Sequence, residues 1–130
     1  MPPFLSKHTD TLYATMRVVV GFLYFSHGAQ KLLGAFGGMD ITGKPLFQAA
    51  GIIETLGGGM IVLGLLTPIA AFVASGEMAV AYFLLHFPSG GWPIMNHGEL
   101  PVLFSFVFLY ISAHGSGPLS LDAALSKARK

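Results

Sequence analysis

Charge and cysteine are both scarce in this 130-residue chain. It has seven basic and six acidic residues, so only 10% of the sequence is charged, and it contains no cysteine. Soluble domains carry about 25% charged residues, so this composition argues against an ordinary soluble enzyme. The absence of cysteine excludes disulfides, thiolate zinc sites, iron–sulfur clusters and haem attached through a CxxCH motif. The net charge of +1 lacks the basic excess of a nucleic-acid-binding protein, so no nucleic-acid partner is expected.

Hydrophobic residues make up 53% of the chain, and the mean hydropathy is +0.68. A helix needs about 20 mostly apolar residues to cross a bilayer. The apolar stretches that approach or reach this length are residues 12–33, 46–66, 68–86 and, shorter than the others, 100–114. The fourth stretch requires local thinning of the bilayer or a helix that extends beyond its apolar part. The sequence therefore predicts an all-α fold: one domain, residues 1–130, forming a four-helix transmembrane bundle with antiparallel up-down connections.

The link between the second and third spans consists almost entirely of Thr67 and Pro68. Threonine is a good N-cap and proline suits the first helical turn, so Thr67 is expected to cap the helix that Pro68 opens. Small residues recur every four positions in both spans, and such rows allow close helix packing in lipid. We therefore expect the second and third spans to form a tight hairpin through two rows, Gly51, Thr55 and Gly59 facing Ala71, Ser75 and Ala79.

Basic residues lie near both ends of the chain. Lys7 precedes the first span, and Lys127, Arg129 and Lys130 follow the last one. Cytoplasmic segments of membrane proteins are enriched in lysine and arginine. Four crossings place both termini on the same side of the membrane, so both are predicted to be cytoplasmic.

Ionisable residues within the spans are concentrated towards the outer half of the predicted bundle. His27, Gln30 and Lys31 share one face of the first span, because they are three and four residues apart. At about 1.5 Å per residue, His27 lies about 9 Å below the outer end of its span, Glu54 about 12 Å and Glu77 about 13 Å. Further polar residues lie near the outer ends of the third and fourth spans: His86, Asn96, His97 and Glu99.

Two interpretations of these polar residues remain open. Ionisable groups in membrane helices usually face the bundle interior and are often functional. In the functional interpretation, His27, Lys31 and Glu54 form the centre of a site. In the structural interpretation, Glu54 pairs with Lys31 and Glu77 pairs with Arg17, which fixes helix register. A haem or metal site built from histidines on different helices is a weaker alternative, so no metal ligand is assigned.

Several sequence segments resemble the DoxX family of membrane proteins. They are Gly21-Phe22-Leu23, His27-Gly28-Ala29-Gln30-Lys31-Leu32, Ile53-Glu54-Thr55-Leu56-Gly57-Gly58, Leu63-Gly64-Leu65-Leu66-Thr67-Pro68, Met78-Ala79-Val80-Ala81, Asn96-His97-Gly98-Glu99 and Ser120-Leu121-Asp122. The resemblance covers nearly the whole chain in the expected order. One departure is His97, which stands where the family usually has glycine.

The resemblance implies a multi-pass protein of the bacterial inner membrane. Family members are described as a quinone-linked subunit of a thiosulfate oxidoreductase and as membrane partners in a redox-defence complex. This chain would accordingly be a quinone-interacting subunit of a redox system. For that function, the polar residues identified above are the candidates: His27, Lys31 and Glu54 as catalytic residues, and Gln30, Glu77, His86, Asn96, His97 and Glu99 as quinone-binding residues.

The sequence contains no flavin, nicotinamide or iron–sulfur motif, so another redox protein would have to supply electrons. A homo-oligomer is the other partner considered. Two further functions remain alternatives because family membership does not establish one reaction. They are a noncatalytic membrane scaffold or docking protein and a small transporter. Whether the chain is itself an enzyme, and on which substrate, stays open at this stage.

Overall fold

The computed structural model describes residues 1–130 and is entirely helical, which confirms the predicted all-α class. After a 3-10 turn at Ser6–His8, the α-helices are α1 (Thr9–Leu32), α2 (Pro45–Leu63), α3 (Thr67–Ala81), α4 (Pro93–Asn96), α5 (Glu99–His114) and α6 (Leu121–Ala128). A π-helical turn, Tyr82–His86, and a 3-10 turn, Phe87–Ser89, continue α3. The four long helices coincide with the predicted spans, except that α2 ends at Leu63 rather than Leu66. Helices α4 and α6 were not predicted.

Two helices are both long and apolar enough to cross a membrane. They are α2 and the continuous helix Thr67–Ser89. Helix α1 has 24 residues but is more polar than these two, whereas α5 is apolar but has only 16 residues. A spanning helix needs about 20 apolar residues, so α1 and α5 each meet one of the two criteria.

Glycines bring α1 and α2 into close contact. A Cβ atom built on Gly28 would lie 2.4 Å from the Thr55 nitrogen, and one built on Gly21 would lie 3.0 Å from a side-chain atom of Ile61. Because the later residue of α1 meets the earlier residue of α2, the two helices run in opposite directions. The small residues of α2 therefore pack against α1, and the prediction that this row faces α3 was wrong.

Hydroxyl groups connect α3 to α5. The Ser75 hydroxyl donates to the Ser105 carbonyl at 2.7 Å, and the Ser112 hydroxyl donates to the Pro68 carbonyl at 2.9 Å. These contacts show that α3 and α5 also run in opposite directions. Ser75, the middle residue of the predicted small-residue row of α3, thus contributes to the contact with α5.

Aromatic side chains join the two helix pairs. Tyr24 of α1 is completely buried and packs edge-on against Phe108 of α5, with ring centroids 4.9 Å apart. Phe104 lies beside Phe108 with its ring nearly parallel, at 5.4 Å. Edge-to-face and offset-stacked geometries are the favoured ones for aromatic rings. This aromatic cluster forms the centre of the core.

Arg17 holds the chain segment that follows α5. It is only 2% exposed, and its guanidinium donates to the carbonyls of Ser116 and of Leu119, the latter at 2.9 Å. Arg17 therefore binds backbone oxygens near the C-terminus. The alternative in which Arg17 pairs with Glu77 was wrong, because these carbonyls already satisfy the two terminal nitrogens of the guanidinium.

Asp122 caps the N-terminus of α3. Its carboxylate accepts from the Leu66 and Thr67 N–H groups at 2.9 and 3.2 Å, and from the Ser116 hydroxyl. The prediction that Thr67 caps this helix was wrong, because Thr67 is the first helical residue and its hydroxyl has no partner. Partial burial alone would raise the pKa of Asp122, but these hydrogen bonds and the charge of Arg17 outweigh it and lower that pKa. We call Arg17, Ser116 and Asp122 the C-terminal clasp.

Candidate functional site

A cavity of about 610 Å³ lies among α1, α2, α3 and α5. Its volume falls in the range of about 300–1,000 Å³ that is common for small-molecule sites. Its lining is mostly hydrophobic, but it includes six of the residues selected from the sequence: His27, Lys31, Glu54, Glu77, His86 and His97. The structure therefore brings together polar groups from α1, α2, α3 with its extension, and the turn that precedes α5.

Lys31 and Glu54 form an ion pair on the wall of the cavity. The Lys31 Nζ lies 2.7 Å from Glu54 Oε2, and the two side chains are only 8% and 4% exposed. Lys31 Nζ also lies 3.4 Å from the carbonyl of His27, one helical turn earlier. The close approach of α1 and α2 at Gly28 places these two side chains opposite each other. A buried pair of this kind is strongly interdependent, because either charge would be costly if left alone.

Glu77 has a partner that the sequence reasoning missed. The Tyr24 hydroxyl donates to Glu77 Oε2 at 3.0 Å. Tyr24 precedes His27 by three residues and Lys31 by seven, which places all three on one face of α1. That spacing was a usable signal for Tyr24. The Tyr24 bond orients the Glu77 carboxylate at the cavity wall.

The two cavity histidines in α1 and in the π-helical turn differ in their hydrogen bonding. His27 lies edge-on to Phe104, with ring centroids 6.4 Å apart, and its imidazole makes no hydrogen bond to the protein. His86 Nδ1 lies 3.1 Å from the Asn96 carbonyl. A carbonyl only accepts, so Nδ1 must carry the hydrogen, and a neutral His86 ring presents Nε2 as an acceptor. Turns of π-helix frequently occur at functional sites, which agrees with the position of His86.

Three residues selected from the sequence lie outside the cavity lining: Gln30, Asn96 and Glu99. The Gln30 amide donates to the Phe36 carbonyl at 3.3 Å, within the loop after α1. Asn96 is buried, and its amide donates to the Tyr82 hydroxyl and the Gly90 carbonyl. Asn96 therefore shapes the loop before α5. Glu99 is exposed in the first turn of α5.

His97 occupies a backbone conformation that favours glycine. Its φ is +58°, in the left-handed region, and it ends the short helix α4. This geometry explains why glycine suits the equivalent position of the resembling family. In this chain the imidazole contributes to the cavity lining instead.

The arrangement combines one polar wall with apolar surroundings. An ammonium group and an imidazole can donate to a carbonyl-bearing ligand, while carboxylates and neutral imidazoles can accept protons. The structure contains no group of three or more histidine, aspartate or glutamate side chains positioned for a metal ion.

Comparison with known proteins places this chain among membrane proteins. An uncharacterized protein of Haemophilus influenzae is 41% identical over 91% of this chain and 93% of its own length. A Bacillus subtilis protein named "Putative oxidoreductase CatD" is 28% identical over 88% of this chain and 87% of its own. An uncharacterized membrane protein of Mycobacterium tuberculosis is 32% identical over 86% and 80%, respectively. No solved structure matches this chain.

The family model for DoxX matches residues 12–87, which include most of α1, all of α2 and α3, and five of the six polar cavity residues named above. This match covers more than half of the chain and confirms the resemblance inferred from the sequence. The chain belongs to the DoxX family of membrane proteins.

Proposed function

We propose that this protein is a quinone-binding subunit of a redox system in the bacterial inner membrane. The observation that carries the proposal is the cavity of about 610 Å³, in which His27, the Lys31–Glu54 pair and Glu77 line an otherwise mostly apolar space. Binding sites for small apolar molecules typically combine such a lining with a few polar groups that fix orientation.

The donor set fits a quinone, which has a flat apolar ring and two carbonyl oxygens that accept hydrogen bonds. Lys31 and His27 offer donors, and neither imidazole nitrogen of His27 is occupied by a protein partner. A bound quinone would supply two-electron redox chemistry coupled to proton exchange. The role of this chain would be to orient the ring and to hold protons at His27, Glu54 and Glu77.

Electrons would come from a partner redox protein, because the chain has no recognisable flavin, nicotinamide or iron–sulfur motif. The name of the Bacillus subtilis relative supports a redox setting. That name describes the Bacillus subtilis protein, and applying a redox role to this chain is part of the proposal.

The experiment is to purify the protein from bacterial membranes in mild detergent and quantify quinone in its lipid extract. We expect co-purified quinone and saturable binding of an added benzoquinone with a decyl chain. A His27→Ala variant should bind about tenfold more weakly, which corresponds to the loss of one hydrogen bond of about 1.4 kcal/mol. Leu103→Ala, at an exposed position outside the cavity lining, serves as the control. Absence of saturable binding, or a haem absorption band in the purified sample, would contradict the proposal.

We further propose that α1, α2, α3 with its extension, and α5 all cross the membrane, with both termini in the cytoplasm. The opposite directions within each helix pair support such a bundle. Two polar side chains of α1, Arg17 and Tyr24, are buried against the rest of the protein, and serine hydroxyls join α5 to α3. The basic residues beyond α6 favour the cytoplasmic orientation.

Cysteine labelling tests this topology, because the chain has no native cysteine to create background. Single cysteines are placed at Ile41 and Leu125, in the loop after α1 and in α6. In intact spheroplasts, we expect an impermeant thiol reagent to label Ile41→Cys but not Leu125→Cys. Both should react after permeabilisation. Labelling of Leu125→Cys alone in intact spheroplasts would reverse the proposed orientation.

A noncatalytic scaffold is the second candidate. The observation that favours it is that the Lys31–Glu54 and Tyr24–Glu77 contacts already provide polar partners within the protein. Such contacts would stabilise the bundle without any ligand. A small transporter is the third alternative, and no specific contact favours it.

A further inference from the structure

The cavity extends from a polar end at the buried Lys31–Glu54 pair to lining residues that are exposed on the surface of the protein. Glu54 and Phe104 line it from the interior and are only 3% exposed. The exposed lining residues on the opposite side belong mainly to α2 and to α3 with its extension: Leu46, Ala49, Phe72, Val73, Gly76, Val80, Leu84 and Leu85. Four further lining residues are exposed near the loops after α1 and before α5: His27, Met39, His97 and Leu100. The cavity is therefore open between α2 and α3, on an apolar side of the protein, and it also reaches the surface near these loops.

The helices that flank this opening are the two that are long and apolar enough to span a membrane. An opening between them faces hydrocarbon rather than either aqueous side. We infer that the cavity is loaded sideways from the lipid phase, and that its ligand carries a long hydrocarbon chain which lies between α2 and α3 while the ring contacts the polar end. This inference rests on the proposed quinone function and specifies the ligand class as a chain-bearing quinone.

Gly76 makes room for such a chain. It lies in the middle of α3, lines the cavity and is exposed, and a Cβ atom built on it would meet no atom within 4 Å. Glycine inside a helix costs about 0.5–1 kcal/mol relative to alanine, so packing within the protein gives no reason for glycine here. A leucine at this position would extend into the opening without distorting the helices.

Gly76→Leu tests the inference in purified protein, with two probes that share one ring. The first is a benzoquinone without a side chain, and the second is the same ring with a decyl chain. In the wild type, the decyl compound should bind more tightly. Gly76→Leu should weaken binding of the decyl compound about tenfold or more and change binding of the bare ring by less than about twofold, where tenfold corresponds to about 1.4 kcal/mol.

Gly59→Leu is the matched control. Gly59 lies in α2 outside the cavity lining, and its nearest neighbour to a built Cβ is a ring atom of Phe25 at 4.0 Å. Gly59→Leu should leave the affinities for both benzoquinone probes unchanged. If both probes bind the wild type and Gly76→Leu affects neither or both equally, sideways loading is refuted while the proposed function stands. If neither probe binds the wild type, both the proposed function and this inference are refuted.

Discussion

Replacing Glu54 by glutamine is expected to destabilise the protein by about 3–5 kcal/mol, the usual cost of removing one partner from a buried ion pair. The Lys31 ammonium lies 2.7 Å from Glu54 Oε2, and both side chains are almost fully buried. In Glu54→Gln that ammonium keeps its charge and loses its counterion. Thermal unfolding in detergent should show a large decrease in Tm, and Glu99→Gln, at an exposed glutamate, should show almost none.

The double variant Lys31→Met/Glu54→Gln separates a structural clamp from a working site. Removing both charges eliminates the unpaired ammonium, so most of the lost stability should return. Quinone binding should not return, because the Lys31 donor is absent, and the affinity for decyl-benzoquinone should remain about tenfold or more below the wild type. If the stable double variant binds quinone as tightly as the wild type, Lys31 and Glu54 do not contact the quinone and act only as a structural ion pair.

Gly58→Leu should lower the stability strongly because it forces α1 and α2 apart. A Cβ atom at Gly58 would lie 2.6 Å from the Phe25 nitrogen and 2.7 Å from its Cα. These are backbone atoms of a packed helix, so they cannot rotate away as a flexible side chain can. Overpacking a well-packed interior typically costs about 1–3 kcal/mol, and a backbone clash lies at the upper end or beyond.

The neighbouring Gly59→Leu is the matched comparison for this prediction, since it adds the same side chain to the same helix with open space around it. Thermal unfolding in detergent should show a clearly lower Tm for Gly58→Leu and little change in Tm for Gly59→Leu. Equal melting temperatures for the two variants would mean that Gly58 faces lipid and that the α1–α2 contact is not as close as the structure has it.

The positions of the long helices and of the polar residues could be predicted from the sequence, because hydropathy and helical spacing are local properties. His27, Lys31 and Glu54 share a helix face or a depth, and such relations can be counted along the chain. The partner of each helix could not be predicted in the same way. The short link at Thr67 made an α2–α3 hairpin the natural expectation, yet Gly28 of α1 and Gly58 of α2 give α2 its closest packing surface.

Long-range contacts account for the other differences between the predicted and the observed side-chain partners. Tyr24 contacts Glu77 from 53 residues away. Its spacing places it on the same helix face as His27 and Lys31, but no local feature identifies Glu77 as its partner. Arg17 had an apparent partner in Glu77, but backbone carbonyls at Ser116 and Leu119 bind it instead. Every residue has a backbone carbonyl acceptor, so composition gives no information about which carbonyls a buried cation will bind.

The C-terminal clasp also determines the order in which this protein can mature. Asp122 caps amides that precede it by 56 and 55 residues, at Leu66 and Thr67. When α2 and α3 first leave the ribosome, the residue that caps their turn has not yet emerged. Arg17, made earlier still, also waits for the carbonyls of Ser116 and Leu119. Insertion of the helices and completion of their packing are therefore separate events in biogenesis, and the second depends on the arrival of the segment after α5.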